Sequence, residues 1–396
     1  MPARKNTSDT APQTASSVAP DGHAIPVAEA GGILTIDLGA IEANWRKLRS
    51  MAISADCAAV VKANAYGCGL EPVVTQLAQA GCKTFFVADL AEGKRARKIA
   101  PQANIYVLGG LPPRSADVFA AHNLRPVIGS GLELAEWDSF VSASGWQGGI
   151  AMHIDTGMNR LGLSIEEARS LAPRIKSKHH GIMLLMSHFV ASQWPEHGRN
   201  REQMDVFRDI RSLYRGVPAS IANSSGVFLG WQAHLDLVRP GAALYGVNPI
   251  PGNPNPMQPV VNLQARVILT RNIATADTLG YDASWTARRP SRIAVLAIGY
   301  ADGYFRRAGG TDQKPGGFVL AQGMRCPIVG RISMDLMDID ITDLPENAIR
   351  RGDTVTLIGE DLDVDTLAET FDTNGYEVLT SLGQRYARLY PGGKDG

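Results

Sequence analysis

The chain lacks most of the features that would assign a protein at a glance. Its 396 residues hold only four cysteines, Cys57, Cys68, Cys82 and Cys326, and no CxxC spacing. That argues against a disulfide framework and reads as thiols of a reducing compartment, hence a cytoplasmic protein. No HExxH and no Cys/His cluster is present, so metal catalysis gets little support; His179 and His180 are adjacent but precede a strand-like run. Asp335, Asp338, Asp340 and Asp343 do not follow the spacing of a calcium loop and read as solvated strand and turn residues. No apolar run approaches eighteen residues, so a membrane span is not expected. Charge of one sign is also missing: 39 Lys plus Arg balance 39 Asp plus Glu. A net charge of zero argues against nucleic acid as the main partner.

What is present is ordinary globular material, 44% hydrophobic, with 41 Gly and 23 Pro. Residues 1–31 are rich in Ser, Thr, Ala and Pro, with no apolar segment after Arg4 and Lys5. They predict a disordered tail and no secretory signal. Ile33–Ile36 reads as a short strand, and Leu38, Ile41, Trp45, Leu48 and Met51 follow at helical spacing.

Eight short apolar runs then come in series. They are Ala58–Val61, Thr84–Ala88, Ile105–Leu108, Arg125–Ile128, Gly149–His153, Ile182–Ser187, Ala219–Ala222 and Leu235–Val238. Helical patterns separate most of them, at Glu71–Ala80, Leu90–Ile99, Glu166–Lys176 and Arg201–Leu213. Apolar runs alternating with helices indicate parallel strands buried on both faces. Eight such units predict an α/β fold, a (β/α)8 TIM-type barrel over residues 38–254, with a doubly wound sheet as the alternative. No GxGxxG follows an early strand, which counts against a dinucleotide fold. Beyond the Pro-rich stretch 254–259 the alternation stops. Val260–Leu269, Arg292–Gly299, Phe318–Leu320, Ile328–Asp340 and Thr354–Ile358 read as strands and Val364–Phe371 as a helix. A mainly β C-terminal domain over residues 255–396 is expected.

Barrel enzymes carry their reactive groups at the C-terminal ends of the strands. There the sequence places Lys62, His153, Asp155, His188, Asn223, Ser224, Ser225 and Arg239. Singly, each has an ordinary explanation. A lysine after a strand is a surface charge, His188 a hydrogen-bonded core residue, Ser224 a helix cap, and Arg239 half of a salt bridge. Jointly, a lysine and a small-residue cradle after strands seven and eight point to a Schiff base with a phosphorylated carbonyl compound. That is either pyridoxal phosphate or a sugar phosphate.

The motifs that decide between these are AVVKANAYG (Ala59–Gly67), DTGMNRLG (Asp155–Gly162), SHF (Ser187–Phe189), NSSG (Asn223–Gly226) and RPGAALYG (Arg239–Gly246). Later in the chain stand GYDASW (Gly280–Trp285), AIGYADGY (Ala297–Tyr304), GRISMD (Gly330–Asp335) and GYEV (Gly375–Val378). In this ordered set, over residues 33–392, the chain resembles the alanine racemases. The resemblance implies pyridoxal 5'-phosphate as cofactor, a small amino acid as substrate and a homodimer with shared active sites. It also implies that the strand at residues 32–37 joins the C-terminal domain. By matched position, Lys62 would carry the cofactor and act as one acid/base, and Tyr281 of the partner subunit as the other. Tyr66, Asn223, Ser224, Gly241, Ala242 and Tyr376 would bind the cofactor, mainly at its phosphate. Arg239 would face the pyridine nitrogen, and His188 would link Arg239 towards Tyr281. Arg160 and the Met334 N–H would hold the substrate carboxylate, and Tyr300 would line the entrance. Supply of D-alanine for peptidoglycan is the role implied, with catabolic use or a broader or serine-preferring racemase as alternatives.

One position departs from the pattern. Many family members carry a carbamylated lysine seven residues before the arginine of DTGMxRLG; here that residue is His153. A neutral imidazole cannot supply the same negative charge beside Arg160. A pyridoxal-phosphate decarboxylase and a non-catalytic cofactor carrier are the competing readings. The Tyr281 motif counts against the first, and the complete second domain against the second.

Overall fold

The computed structural model describes residues 25–177 and 181–391. Residues 1–24 and the pair His179–His180 lie outside the described residues. Residues 25–31, expected within a disordered tail, are instead tied down. Arg266 donates to the carbonyls of Val27 and Ala30 at 2.8 and 3.1 Å, and Ala30 is buried. Strand β1 (Gly32–Ile36) then pairs with the C-terminal domain before the chain enters the barrel through the helix Leu38–Met51. The Asp37 carboxylate caps that helix, accepting from Ala40 N at 2.9 Å.

The eight apolar runs are the strands of a parallel barrel. The first is split into β2 (Asp56–Cys57) and β3 (Ala59–Val60). The others are β4 (Thr84–Val87), β5 (Asn104–Val107), β6 (Arg125–Ile128), β7 (Ile150–His153), β8 (Ile182–Met186), β9 (Ala219–Ser220) and β10 (Leu237–Val238). β3 to β9 lie side by side in chain order. Closure comes from β10, which pairs with β2 in parallel, Leu237 opposite Asp56 and Val238 opposite Cys57. On its other side Asp236 N and Arg239 N donate to the carbonyls of Ala219 and Ala222. The runs are continuously apolar because both faces are covered. Phe86, Tyr106, Val127 and Leu184 fill the barrel interior, while their neighbours Phe85, Ile105, Ile128 and Leu185 pack under the helices. Burying one such side chain contributes about 1.5–3 kcal/mol.

The second domain is antiparallel β with one parallel exception. Its strands are β11 (Val261–Ile273), β12 (Thr278–Leu279), β13 (Trp285–Thr286), β14 (Ser291–Leu296), β15 (Phe318–Ala321), β16 (Met324–Val329), β17 (Met337–Asp340), β18 (Thr354–Ile358) and β19 (Tyr386–Leu389). The main sheet runs β14-β17-β16-β15-β18-β11-β1-β19, and β14 also pairs with β11, so six strands form a ring. The stretch Ile328–Asp340, expected as one strand, is two. Gly330 at φ +72° turns the chain out, and Ser333 Oγ accepts from Leu336 N at 3.0 Å to close the loop that carries Met334. The helix Val364–Phe371 is as expected; the helix Gly375–Ser381 and strand β19 were not anticipated. The Pro-rich stretch straps onto the first barrel helix, with Lys47 Nζ donating to Pro256 O at 2.6 Å. Among the described residues no helix is long and apolar enough to cross a membrane, and no cluster of side chains could hold a metal.

Candidate active site

Lys62 leaves the first barrel strand at its C-terminal end, where the backbone does something costly. Ala63, Asn64, Ala65 and Tyr66 all have φ between +53° and +54°. A left-handed turn of four non-glycine residues costs about 1–2 kcal/mol per residue, so its surroundings must impose it. Asn64 N donates to Glu92 at 2.7 Å, and Asn64 Oδ1 accepts from Leu70 N and from Arg95 at 3.0 and 2.9 Å. Arg388 donates to Gly67 O at 2.7 Å from the second domain. The half-buried Lys62 amine is held below its usual range by loss of hydration and by the Arg160 charge, which Glu92 partly opposes.

The loops after β9 and β10 meet beside this turn. Ser224 Oγ accepts from Gly241 N at 3.0 Å and from Ala243 N at 3.1 Å. Both lone pairs are thereby engaged and the O–H is left to donate. Gly241 has a φ of −126°, outside the left-handed region that favours glycine. A Cβ there would run into the Tyr66 hydroxyl and the Val60 side chain. Tyr66 stacks on Tyr245 with ring centroids 4.7 Å apart. Tyr376 reaches the same place because the helix Gly375–Ser381 packs on the left-handed turn. Ala242 opens the short helical turn that follows Gly241. Asn223, expected to touch cofactor, uses its Oδ1 within the protein, accepting from Ser192 Oγ at 2.8 Å and Gly226 N at 2.9 Å.

Arg239 is 4% exposed and bonded to Ser220 Oγ and, at 2.7 Å, to Ser187 O. Burial pulls it down to about 9, so it stays charged at neutral pH. Among the described residues its hydrogen-bond acceptors are neutral, and burying a cation beside neutral acceptors is unfavourable for stability. His188 is pushed down to about 3 by burial and then by Arg239, Arg160, His153 and Lys62. His153 is pushed down to about 4 by burial first and then by Arg239. Both imidazoles are therefore neutral at pH 7, and His153 brings no negative charge to Arg160.

Arg160 stands exposed at the end of a loop whose sequence explains its shape. Asp155 Oδ1 accepts from the N–H groups of Gly157, Met158 and Asn159 at 2.9, 2.9 and 3.1 Å. Gly157 and Gly162 take φ +130° and +117°. Behind the loop Thr156 Oγ1 pairs with Ser187 Oγ at 2.7 Å, and Gln203 bonds both Thr156 Oγ1 and His188 O. Sequence reasoning did not single out Gln203 or Glu92. Gln203 shows only as one polar residue on an amphipathic helix. Glu92 has a weak signal, three residues after the cap Asp89.

The remaining expected residues lie on the second domain. Tyr281 is 66% exposed, in the turn between β12 and β13, held by an ion pair of Asp282 with Arg331 at 2.9 Å. Tyr300 and Met334 are exposed neighbours. Tyr300 N donates to Ser333 O at 3.1 Å and Ala301 N to Met334 O at 2.9 Å. The structure thus brings Lys62, Tyr66, His153, Arg160, His188, Ser224, Arg239, Gly241 and Tyr376 to one barrel mouth. Tyr281, Tyr300 and Met334 are exposed on the second domain.

A mouth that combines an amine of lowered basicity, two arginines and a hydroxyl-lined cradle defines a barrel protein built to hold an anionic group beside a lysine. Comparison with known proteins makes this specific. The model of the alanine racemase N-terminal domain matches residues 36–249, and that of the C-terminal domain matches residues 260–390. An alanine racemase of Methylobacterium sp. (strain 4-46) is 48% identical over 360 residues, 91% of this chain and 98% of that protein. A catabolic alanine racemase of Mesorhizobium japonicum is 45% identical, over 94% of this chain and 96% of that protein. Among solved structures, the alanine racemase of Bartonella henselae with covalently bound pyridoxal phosphate aligns at TM-score 0.86 and 37% identity, covering 91% of this chain and 99% of that one. The chain belongs to the alanine racemase family.

Proposed function

We propose that the protein interconverts L- and D-alanine with pyridoxal 5'-phosphate held at this mouth. Lys62 serves one face of the substrate Cα and the partner's Tyr281 serves the other. The observation that carries the reading is the conjunction at one mouth of the Lys62 amine, of lowered basicity, with the Ser224–Gly241–Tyr66 cradle.

The residues present fit the cofactor. The Ser224 O–H, Tyr66 and Tyr376 hydroxyls and the Gly241–Ala242 backbone suit a phosphate, and Gly241 makes room for the Tyr66 hydroxyl, which a Cβ would displace. Asn223 contributes by ordering the loop that bears Ser224. Arg239, buried without a carboxylate, suits a ring nitrogen that is to remain unprotonated, because a guanidinium offers only donors. Pyridoxal phosphate, when bound, draws electrons from the substrate Cα and makes its proton removable.

The protein's own part is then proton handling and orientation. Lys62, shifted toward its neutral form, can take a proton near neutral pH. A single base would return the proton to the face it came from, so inversion needs a second group opposite. Tyr281, exposed like Tyr300 and Met334, would be that group, supplied by a second copy. Arg160 and the Met334 N–H orient the substrate carboxylate, and neutral His188, near enough to feel the Arg239 charge, would link Arg239 toward Tyr281. A homodimer in the cytoplasm, supplying D-alanine for peptidoglycan, completes the reading; the four free, buried thiols accord with that compartment. Relatives bear both biosynthetic and catabolic names, so the direction of use follows from cellular context.

The test is incubation of the purified holoenzyme with L-alanine in deuterated water. Decay of optical rotation to zero with deuterium entering Cα is expected. Release of carbon dioxide, or no change of either kind, overturns the reading.

A further inference from the structure

We propose that Glu92 is a positioning residue for Lys62, acting through the left-handed turn that follows it. The inference rests on the reading of Lys62 as the cofactor-bearing amine.

Glu92 stands three residues after Asp89, which caps the helix Leu90–Ile99 by accepting from Glu92 N at 2.9 Å. Its side chain is 8% exposed and turns back over the barrel mouth. One carboxylate oxygen accepts from Ala88 N at 2.8 Å, at the end of β4, and the other from Asn64 N at 2.7 Å. A single carboxylate thus joins the loops after two neighbouring strands. Asn64 is held from its other end as well, by Leu70 N and by Arg95, which is itself paired through two nitrogens with Glu71 at 2.6 and 2.7 Å.

The barrel contains a control for this arrangement. Glu133 also stands three residues after its helix cap, Ser130. Its two oxygens accept from Gly129 N and Leu111 N, both at 2.9 Å, joining the loops after β6 and β5. The two clamps are chemically alike, but only that of Glu92 lands inside the run of positive φ, two residues past the lysine. Lys62 is faced by Arg160 from the loop after β7, by His188 from the loop after β8 and by Glu92 from the helix after β4. Glu92 is the negative member of that set. A fold staple would account for Glu133; for Glu92 it would leave unexplained why the strained segment is the one being clamped.

Both oxygens accept from backbone N–H, so Glu92→Gln sets an NH2 against one of those donors and removes the charge with little change of volume. Glu133→Gln does the same where Lys62 is not involved. Holoenzymes of wild type, E92Q and E133Q are compared by kcat and KM, by the pH midpoint of the bound cofactor's visible absorbance, and by borohydride reduction with peptide mapping of the label. For E92Q we expect kcat lower by about tenfold or more with KM within about twofold. Its midpoint should move to lower pH, because loss of a nearby carboxylate disfavours the protonated nitrogen. E133Q should match wild type in kcat and midpoint at a similar loss of thermal stability. Equal kcat and an unmoved midpoint in E92Q and E133Q overturn the proposal while leaving the function intact. Absence of label on wild-type Lys62 overturns the reading beneath it. Should E92Q not fold, Glu92→Asp is read against Glu133→Asp: it keeps the charge but cannot span both donors, so it should lower kcat at an unmoved midpoint, and equal kcat in the pair overturns the proposal.

Discussion

The Arg239 guanidinium carbon lies 5.7 Å from the centroid of the Phe86 ring, over the floor of the barrel mouth. Among the described residues its hydrogen bonds go to the neutral oxygens of Ser187 and Ser220. A charge held this way opposes folding more than it supports it. Arg239→Leu should therefore change stability only slightly, within about 2 kcal/mol, since relief of the buried charge offsets the lost hydrogen bonds. Racemisation should fall by about 100-fold or more, the usual loss when a preorganised donor is removed. Urea unfolding and kcat measured on one preparation check this, and near wild-type turnover would contradict it.

The two buried imidazoles make a prediction about acid. His153 is held down to about 4 and His188 to about 3, both from 6.5, chiefly by burial. Below 6.5 the unfolded chain binds protons that the folded chain refuses. Stability is then fully present above pH 6.5 and falls as pH drops toward 4. Each group contributes roughly 1.4 kcal/mol for every tenfold loss of proton affinity, so the fall amounts to a few kcal/mol. Urea midpoints at pH 7 and pH 4.5 measure it. His153→Gln should flatten that slope, and an unchanged slope would remove His153 from the account.

Gly241→Ala tests the cradle. The added Cβ would meet the Tyr66 hydroxyl and Val60. Cofactor affinity should weaken about tenfold, a displacement worth roughly 1.4 kcal/mol, with the unfolding midpoint little changed. Absorbance titration of cofactor-stripped protein reads it. Ser224→Ala should cost more, about 1–3 kcal/mol of stability, because it strands the N–H groups of Gly241 and Ala243 in the interior.

The proposed sharing of Lys62 and Tyr281 between two copies predicts complementation. Lys62→Ala and Tyr281→Phe should each be inactive as pure proteins. Refolded together in equal amounts, half of the dimers are mixed, and each mixed dimer regains one intact site. About a quarter of wild-type activity should return, as expected for two-fold symmetric sites built from both chains. No recovery despite mixed dimers would show that Lys62 and Tyr281 do not meet across the interface.

Much of the fold was legible because barrel strands are buried on both faces and leave unbroken apolar runs. Thr84–Ala88 and Ile182–Ser187 each fall within a residue of the strand observed. The second domain was less legible: Ile328–Asp340 looks continuous because its break at Gly330 and Ser333 is made by φ and one hydroxyl, not by a change of hydropathy. Residues 25–31 resemble a tail because their anchor is Arg266, more than two hundred residues away. That the Asn223 side-chain oxygen accepts from Ser192 and Gly226 was not legible either, since the first of these donors stands 31 residues away on another loop.

The sequence alone determined the eightfold βα alternation, the second β domain and the chemistry available at the strand ends, because local hydrophobic period and residue type are local properties. Only the tertiary structure decided that Ala63–Tyr66 would turn left-handed, that Glu92 would clamp that turn, and that Arg239 would be buried against the oxygens of Ser187 and Ser220. In Ala-Asn-Ala-Tyr only the asparagine tolerates positive φ readily, and then as a single residue. The conformation exists because groups distant along the chain, Glu92, Arg95 and Arg388, converge on it and hold it against its own local preference.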